Sequence, residues 1–429
     1  MRPRFTGLWR HPDFLKLWLG QTISEIGSHI TREGLPLTAV IVLGATPFSM
    51  GVLASLSGIS TLAFGPIAGL WVDRHRRRPI LITADLGRAV VLASVPLAAA
   101  FRALHMRQLY VVAALTGILT VFFDVAYQSY LPSLVERQRV LEGNSKLALS
   151  SSMAEIAGPG LTGVLVQLIT APIAILVDAL SFLWSAVMVW LIRKPEPIPA
   201  PHAEPHIWHE LAAGLRAVAG HPLQRAIARQ AATGSFFIGF FLSLYVLYAI
   251  RYLRISPAVL GAVIAVGGAA NMLGALLAGR LVRRFGVGSM LIGSMLLIGL
   301  AALMVPLAHG SVLIATAFLA AAQLGDLGWP IYNINELTLR QAITPKDLLG
   351  RVNAVMQMLI HGVFPVGSFC GGALASVIGV RPTLTLGALG FLSSSLWLVF
   401  SPVRKLREYP TAAVATWDIS VGQGSNRDF

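Results

Sequence analysis

The sequence predicts an all-α integral membrane protein, with twelve transmembrane helices arranged as two pseudo-symmetric six-helix bundles. Three observations carry this. Of the 429 residues 55% are hydrophobic and only 12% charged, whereas soluble domains carry about a quarter charged residues. Apolar runs of about 20 residues, long enough to cross about 30 Å of hydrocarbon, recur along the chain. Finally, basic residues alternate between connections, and the chain overlays on itself when shifted by about 210 residues.

The start, MRPRFTGLWRHPDFLKLW, is basic, and no small-residue cleavage site follows its apolar stretch, so it predicts a retained first helix after a cytoplasmic N-terminus at 1–13. The apolar runs place spans at roughly 14–43, 48–72, 79–101, 108–132, 147–169 and 171–192. A second set falls at 226–250, 257–280, 288–307, 311–336, 351–379 and 382–401. The two bundles are therefore 14–192 and 226–401. Between them, RKPEPIPAPHAEPHIWHE from Arg193 opens a proline-rich linker at 193–225. Within it, 207–219 has the pattern of an amphipathic helix lying on the membrane surface. The tail at 402–429 turns polar, and disorder is expected beyond Pro410.

Positive residues are retained on the cytoplasmic side, so correct spans should sort Lys and Arg into alternate connections. One set holds Arg2, Arg4, Arg10 and Lys16, then Arg74 and Arg76–Arg78, Arg137, Arg139 and Lys146, and Arg193, Lys194, Arg216 and Arg225. It continues through Arg280, Arg283, Arg284, Arg340, Lys346 and Arg351 to Arg404, Lys405 and Arg407. The opposite set has only Arg102, Arg107, Arg251, Arg254 and Arg381. Both termini are thus expected in the cytoplasm. The net charge of +14 faces cytosol and lipid head groups, so nucleic acid is not expected as a partner.

No enzyme chemistry stands out. Cys370 is the single cysteine, which excludes an intramolecular disulfide. His202, His206 and His209 lie in the linker without a cysteine or acid cluster to complete a metal site. There is no phosphate-cradling loop for ATP-driven transport, and no cofactor or metal is expected.

The duplication is specific at two separated places. A shift of 210 lays GLWVDRHRRR (69–78) over GRLVRRFGVG (279–288), matching Gly69 with Gly279 and Arg74 with Arg284. A shift of 209 matches Asn144 with Asn353, Gly158 with Gly367 and Gly163 with Gly372.

Ionisable groups inside spans cost about 2.5 to 3.5 kcal/mol each on insertion scales, so each is a functional candidate. In span one, Glu25, His29 and Arg32 are spaced by four and three residues and share a face. His29 titrates near neutral pH and Glu25 can do so if desolvated, which makes the stripe a proton relay or a neutralised structural network. Glu33 sits off this stripe, toward a neighbour. Span four carries Asp124 with Tyr127 and Gln128; span ten carries Gln323, Asp326 and Asn333 on one face, with Pro330 expected to bend it. These are candidates for cavity contacts or for interhelical hydrogen bonds. Glu155, Asp178 and Glu336 are expected to pair near a membrane face, and Asp85 with Arg88 locally. Phe237, Phe241, Tyr245 and Tyr248 form an aromatic stripe on span seven that suits either stacking on a bulky ligand or packing.

GLWVDRHRRR resembles the signature between helices two and three of the major facilitator superfamily: Gly69, Asp73, Arg74, Arg77 and Arg78 match, while Arg76 stands where that family has glycine. The chain is further similar to the drug and siderophore exporters of the transmembrane secretion effector type, including enterobactin-exporter-like proteins. That similarity covers roughly 10–405, through SEIGSHITREGLPL at 24, ILVDALSFLWSA at 175 and NINELTLRQAITPKDLLGRVNA at 333. It implies that helices one, four, seven and ten line a central cavity. The charged turn would act as a cytoplasmic gate, with Gly69, Asp73, Arg74, Arg77, Arg78, Arg283, Arg284 and Arg340. Its bland alternative is topology alone, with Asp73 favoured by a helix dipole. GPGLTG, with Gly158, Pro159 and Gly163, looks like the end of the family's antiporter motif, although Thr162, Ala154 and Ser145 replace glycines.

The resulting expectation is a monomeric secondary transporter of the bacterial inner membrane, exporting a small amphipathic molecule (drug, antibiotic or siderophore) in exchange for protons. Its other partners would be membrane lipids. Uptake or lipid flipping on the same scaffold, or a non-transporting membrane sensor or assembly partner, are the alternatives.

Overall fold

In the computed structural model, residues 7–196 and 207–410 are described; Arg2, Arg4, His202, His206 and the expected disorder beyond Pro410 lie outside them. A short 3-10 turn at Gly7–Arg10 leads into α1 (Pro12–Ile41), which His11 caps by accepting from the Phe14 N–H at 3.1 Å. There follow α2 (Pro47–Arg74), α3 (Arg77–Ala100), α4 (Met106–Leu134), α5 (Val140–Ile169) and α6 (Ala171–Trp190). After the linker come α7 (Ile207–Gly220), α8 (Pro222–Leu247, continued by a π-turn at Tyr248–Tyr252), α9 (Pro257–Phe285) and α10 (Val287–Leu307). The tenth span is broken into α11 (Val312–Gln323) and α12 (Gly328–Ile343); α13 (Leu349–Ile378), α14 (Val380–Ser394) and α15 (Leu396–Val399) complete the chain. Eleven of these segments are long and apolar enough to cross a membrane. The twelfth span is α1, 30 residues long, whose charges at Glu25, Arg32 and Glu33 lower its hydropathy.

Each half packs in the same way. In the first, α1 lies on α6 and α5, α3 on α6 and α4, and α2 on α4. In the second, α8 lies on α14 and α13, α10 on α14 and α12, and α9 on the broken tenth span. The duplication extends to turns and caps. Positive φ recurs at Gly44 and Arg254, Arg102 and Gly310, and Thr170 and Gly379, offset by 210, 208 and 209 residues. Three of the six are not glycine, so the turn geometry has outlasted the residue that makes it cheap. Thr46 caps α2 ahead of Pro47, as Ser256 caps α9 ahead of Pro257.

At the charged turn the halves differ, and the difference explains Arg76. Gly286, its equivalent, has φ +87°, whereas Arg76 has φ −65° and ψ 133°. The turn into α3 is therefore extended rather than left-handed and needs no glycine.

One element departs from expectation. The bend of the tenth span falls at a 3-10 turn, Leu324–Leu327, ahead of Pro330. Proline at 330 leaves the carbonyl four residues back, that of Asp326, without its helical donor, so the irregularity appears there. The start of the tail, ahead of the stretch beyond Pro410, forms a 3-10 turn at Pro402–Lys405. The Val287 and Gly288 N–H groups then donate to Arg407 and Leu406 carbonyls at 3.2 and 2.8 Å, and Tyr409 Oη donates to Asn335 Oδ1 at 2.5 Å. The amphipathic helix α7 rests on α13, where a Cβ at Gly214 would lie 2.6 Å from the Arg351 carbonyl.

A junction between the halves lined by carboxylates

The two halves meet along two symmetry-related crossings, α5 with α9 and α2 with α13. Both are tightest at the end of the molecule opposite the termini. There a Cβ at Gly261 would lie 2.3 Å from the Pro159 carbonyl oxygen and 3.1 Å from Gly163 Cα, and one at Gly51 would lie 2.7 Å from both Gly372 Cα and the Ser368 carbonyl. Small residues let the backbones approach this closely. Ser55 Oγ donates to the Pro365 carbonyl at 2.8 Å and the Ala258 N–H to Gln167 Oε1 at 3.3 Å, tying the same crossings. Toward the terminal end the same helix stripes continue with nothing against them among the described residues. Gly65 and Gly69 on α2 and Gly350 on α13 face open space, while Leu141 and Leu149 on α5 and Leu276 on α9 are more than half exposed. The halves are closed at the distal end and splayed at the basic end.

Where the α5–α9 crossing gives way to the opening, a cavity of about 140 Å³ lies between the halves. It is lined by His29, Arg32 and Glu33 from α1, Glu155 and Pro159 from α5, Ile264, Gly267, Gly268 and Asn271 from α9, and Asp326 from the tenth span. Gly158 makes room for His29, since a Cβ there would lie 2.5 Å from the imidazole's own Cβ. Asn271 Nδ2 donates to Glu155 Oε1 at 3.4 Å across the halves. Gly267 serves Asp326, whose Oδ2 would lie 2.3 Å from a Cβ at that position.

Sequence reasoning found His29, Arg32, Pro159 and Asp326, and the structure brings these four together. Glu33, expected to face elsewhere, joins them on its long side chain; Glu155, expected near a membrane face, sits at the junction because α5 crosses α9 there. Asn271 was missed altogether. Glu25 does not line this cavity: it accepts from Ser151 Oγ on α5 at 3.1 Å, within electrostatic reach of exposed Asp124 on α4. Asn333 is exposed and apart from Asp326, because the 3-10 turn breaks the 100° steps on which a shared face depended. The buried asparagine of that helix is Asn335, which donates to the Ile331 carbonyl.

The aromatic stripe divides. Phe237 packs among Phe236 and Phe240 against Gly390, and Tyr248 donates to the Ala308 carbonyl at 3.1 Å. Phe241 stacks on Tyr245 at 5.7 Å. Tyr245 is 7% exposed and its hydroxyl has no partner among the described residues.

Of the gate residues, Arg77, Arg78 and Arg340 bond within their own halves. Asp73, Arg74, Arg283 and Arg284 are exposed. Arg77 and Arg78 serve their own half instead: their N–H groups donate to Glu196 at 2.7 and 3.0 Å, and the Arg78 guanidinium donates to the Val189 and Trp190 carbonyls. Arg340 pairs with Glu336 on its own helix at 3.5 Å. Deeper in the first half, Asp85 pairs with Arg88, whose guanidinium lies between the Phe123 and Phe182 rings at 4.2 and 4.0 Å. Asp178, fully buried, accepts from Ser181 Oγ at 2.9 Å rather than pairing near a membrane face.

A family profile described as Major Facilitator Superfamily matches residues 17–368. The chain belongs to that superfamily. It is a multi-pass membrane transporter, not an enzyme. It is 24% identical over 422 residues to the enterobactin exporter EntS of Salmonella typhi, covering 94% of this chain and 96% of that one. It is 26% identical over 423 residues to the multidrug efflux pump Tap of Mycolicibacterium fortuitum, covering 95% and 99%. Among solved structures, a bacterial homologue of the iron transporter ferroportin in its inward-facing state shares the fold at TM-score 0.72 and 17% identity, over 92% of this chain and 99% of that one. The outward-facing structure of such a homologue gives 0.57 at 18% identity, over 90% and 98%.

Proposed function

We propose that this major facilitator protein exports a small amphipathic molecule (drug, antibiotic or siderophore) from the cytoplasm in exchange for protons, by alternating access between its halves. The observation that carries the reading is the arrangement of the junction: ionisable side chains from both halves line one cavity at the apex of an opening, where closure at one end and splaying at the other meet. A charge taken up or given off there acts on both halves at once. Positive residues crowd the splayed end, which supports a cytoplasmic location for that end and for both termini; the membrane in this reading is the inner membrane of a bacterium. The similarity to proteins named as an enterobactin exporter and a multidrug efflux pump supports export as the direction.

In this reading His29 and Asp326 bind and pass the coupling proton, Arg32 holds a fixed positive charge beside them, and Glu25 with Asp124 lines the route from the cytoplasm. Phe241 and Tyr245 offer the stacking surface, and Asn333 the vestibule wall. The bundles at 14–192 and 226–401 rock as units about the 193–225 linker. When they rock, the basic end closes and the distal end opens. Gly69 and Gly279 then approach their partners, and Asp73 meets basic residues of the other half. The transporter works as a monomer, since each chain carries both halves of the cavity.

The test is accumulation in bacterial cells stripped of their own efflux pumps and expressing this protein, with a macrolide, a catecholate siderophore and a lipophilic cation as probes. The proposal expects expression to lower accumulation of one class at least several-fold, and a protonophore to abolish the difference. Raised accumulation would indicate uptake, and no change across the panel would overturn the export reading.

A further inference from the structure

The junction cavity has an unbalanced charge that the protein does not neutralise itself. Arg32 and Glu33 are neighbours on α1 and offset one another. That leaves Glu155 from one half and Asp326 from the other, with His29 as the remaining titratable side chain on the cavity wall. The α9 wall between the two carboxylates contributes only Ile264, Gly267, Gly268 and Asn271, none of which carries charge. Two carboxylates sharing a site of low dielectric repel strongly, and one positive charge between them removes the conflict.

A second observation points to a ligand. Tyr245 on α8 is 7% exposed and its hydroxyl has no hydrogen-bond partner among the described residues, yet it lies within electrostatic reach of Asp326 and Glu33. A buried hydroxyl left unpaired is costly, and this one lies close to two of the carboxylates that line the cavity. The space, about 140 Å³, corresponds to about four or five waters at their share of liquid volume. It admits the head of a molecule while the body remains in the vestibule.

We propose that this cavity binds the ammonium group of a protonated amine, held between Glu155 and Asp326. The ammonium presents up to three N–H donors. Two go to the facing carboxylates and the third reaches Glu33 or the Tyr245 oxygen, while Asn271 holds Glu155 in place by the hydrogen bond already described. The inference rests on the transport reading and narrows it to amphipathic amines in preference to anionic catecholates. It also supplies a coupling step. Ammonium and proton compete for the same two carboxylates, so a proton arriving from the distal side displaces the amine there. The titratable groups on the cavity wall are His29, Arg32 and Glu33 from α1, Glu155 from α5 and Asp326 from the tenth span, with Tyr245 of α8 within electrostatic reach of Asp326 and Glu33; α9 supplies none.

The experiment is equilibrium binding to the purified full chain with monodansylcadaverine, a fluorescent amphipathic primary amine, and its N-acetyl derivative, which has the same body without the charge. The amine should bind at least about tenfold more tightly than the acetylated form, as expected for hydrogen bonds to a charged group. Glu155→Gln and Asp326→Asn should each remove most of that preference, with melting temperature and elution volume checking the fold. Affinity for the amine should rise from pH 6 to pH 8 as competing protons leave. Equal affinity for the two probes in the wild-type protein overturns the site without relying on any variant. So does wild-type amine affinity in both variants, including the case where those variants have lost only proton-driven flux. Gradient-driven export of the acetylated probe with no preference for the amine would overturn the ammonium site and leave the transport reading standing.

Discussion

Replacing Gly261 by alanine puts a methyl carbon 2.3 Å from the Pro159 carbonyl oxygen and 3.1 Å from Gly163 Cα. These are backbone atoms of the opposing half and cannot rotate away. To restore ordinary contact α9 must move off α5 by about 1 Å, and overpacking of this kind costs about 1 to 3 kcal/mol. If the crossing opens when the halves rock, the cost falls on the distally closed conformation alone. At 1.4 kcal/mol per factor of ten, the equilibrium shifts toward the distally open form by about 5- to 150-fold. Gly51→Ala strikes the related crossing, at 2.7 Å from Gly372 Cα, and with no shared partner its effect should add. The assay is double electron–electron resonance between spin labels at Arg107→Cys and Leu313→Cys, exposed positions at the distal ends of the two halves, with Cys370→Ser removing the only native cysteine. A longer distance population should grow in each variant and dominate in the double. A distance distribution identical to that of the parent, in protein of unchanged melting temperature, would refute the idea that these glycine crossings are the distal gate.

Three further outcomes follow from the same geometry. Gly158→Ala drives a methyl to 2.5 Å from His29 Cβ, so it should displace the imidazole from the junction and lower drug export at least tenfold while leaving membrane insertion intact, as read by transport and by surface expression. Arg88→Leu leaves Asp85 buried without its partner, a loss of about 3 to 5 kcal/mol; thermal unfolding in detergent should show a drop of many degrees, and adding Asp85→Asn should recover much of it. Tyr409→Phe removes the hydroxyl that bonds Asn335, worth about 1 kcal/mol, and hydrogen exchange of residues 402–410 should speed up several-fold with little change in global melting.

The spans were legible because a lipid-facing helix must be apolar for about 20 residues, a signal that survives without knowledge of packing. The repeat was legible in its glycines, and turn geometry carried it further, as at Thr170 and Gly379, where the residues differ and the φ angle does not. His29, Arg32 and Asp326 were legible because charge in a span has few explanations. Glu155 and Asn271 were not, since their meeting depends on where α5 crosses α9, and no periodicity within either helix encodes that. Asn333 was misplaced for a local reason, the 3-10 turn at Leu324–Leu327. Phe237 and Tyr248 shared a stripe with Tyr245, but only packing against Gly390 and Ala308 shows which aromatic rings remain near the junction.

Coupling between the two fluxes tests the account at its centre. Purified protein in liposomes, with a pH gradient imposed and an amphipathic amine inside, allows ligand movement and internal pH to be followed together by two fluorophores. The account predicts that ligand moves only while the gradient lasts, that protons move the opposite way in fixed ratio, and that Asp326→Asn abolishes the linkage. Ligand movement indifferent to the gradient, or proton-coupled movement unchanged in Asp326→Asn, would contradict it.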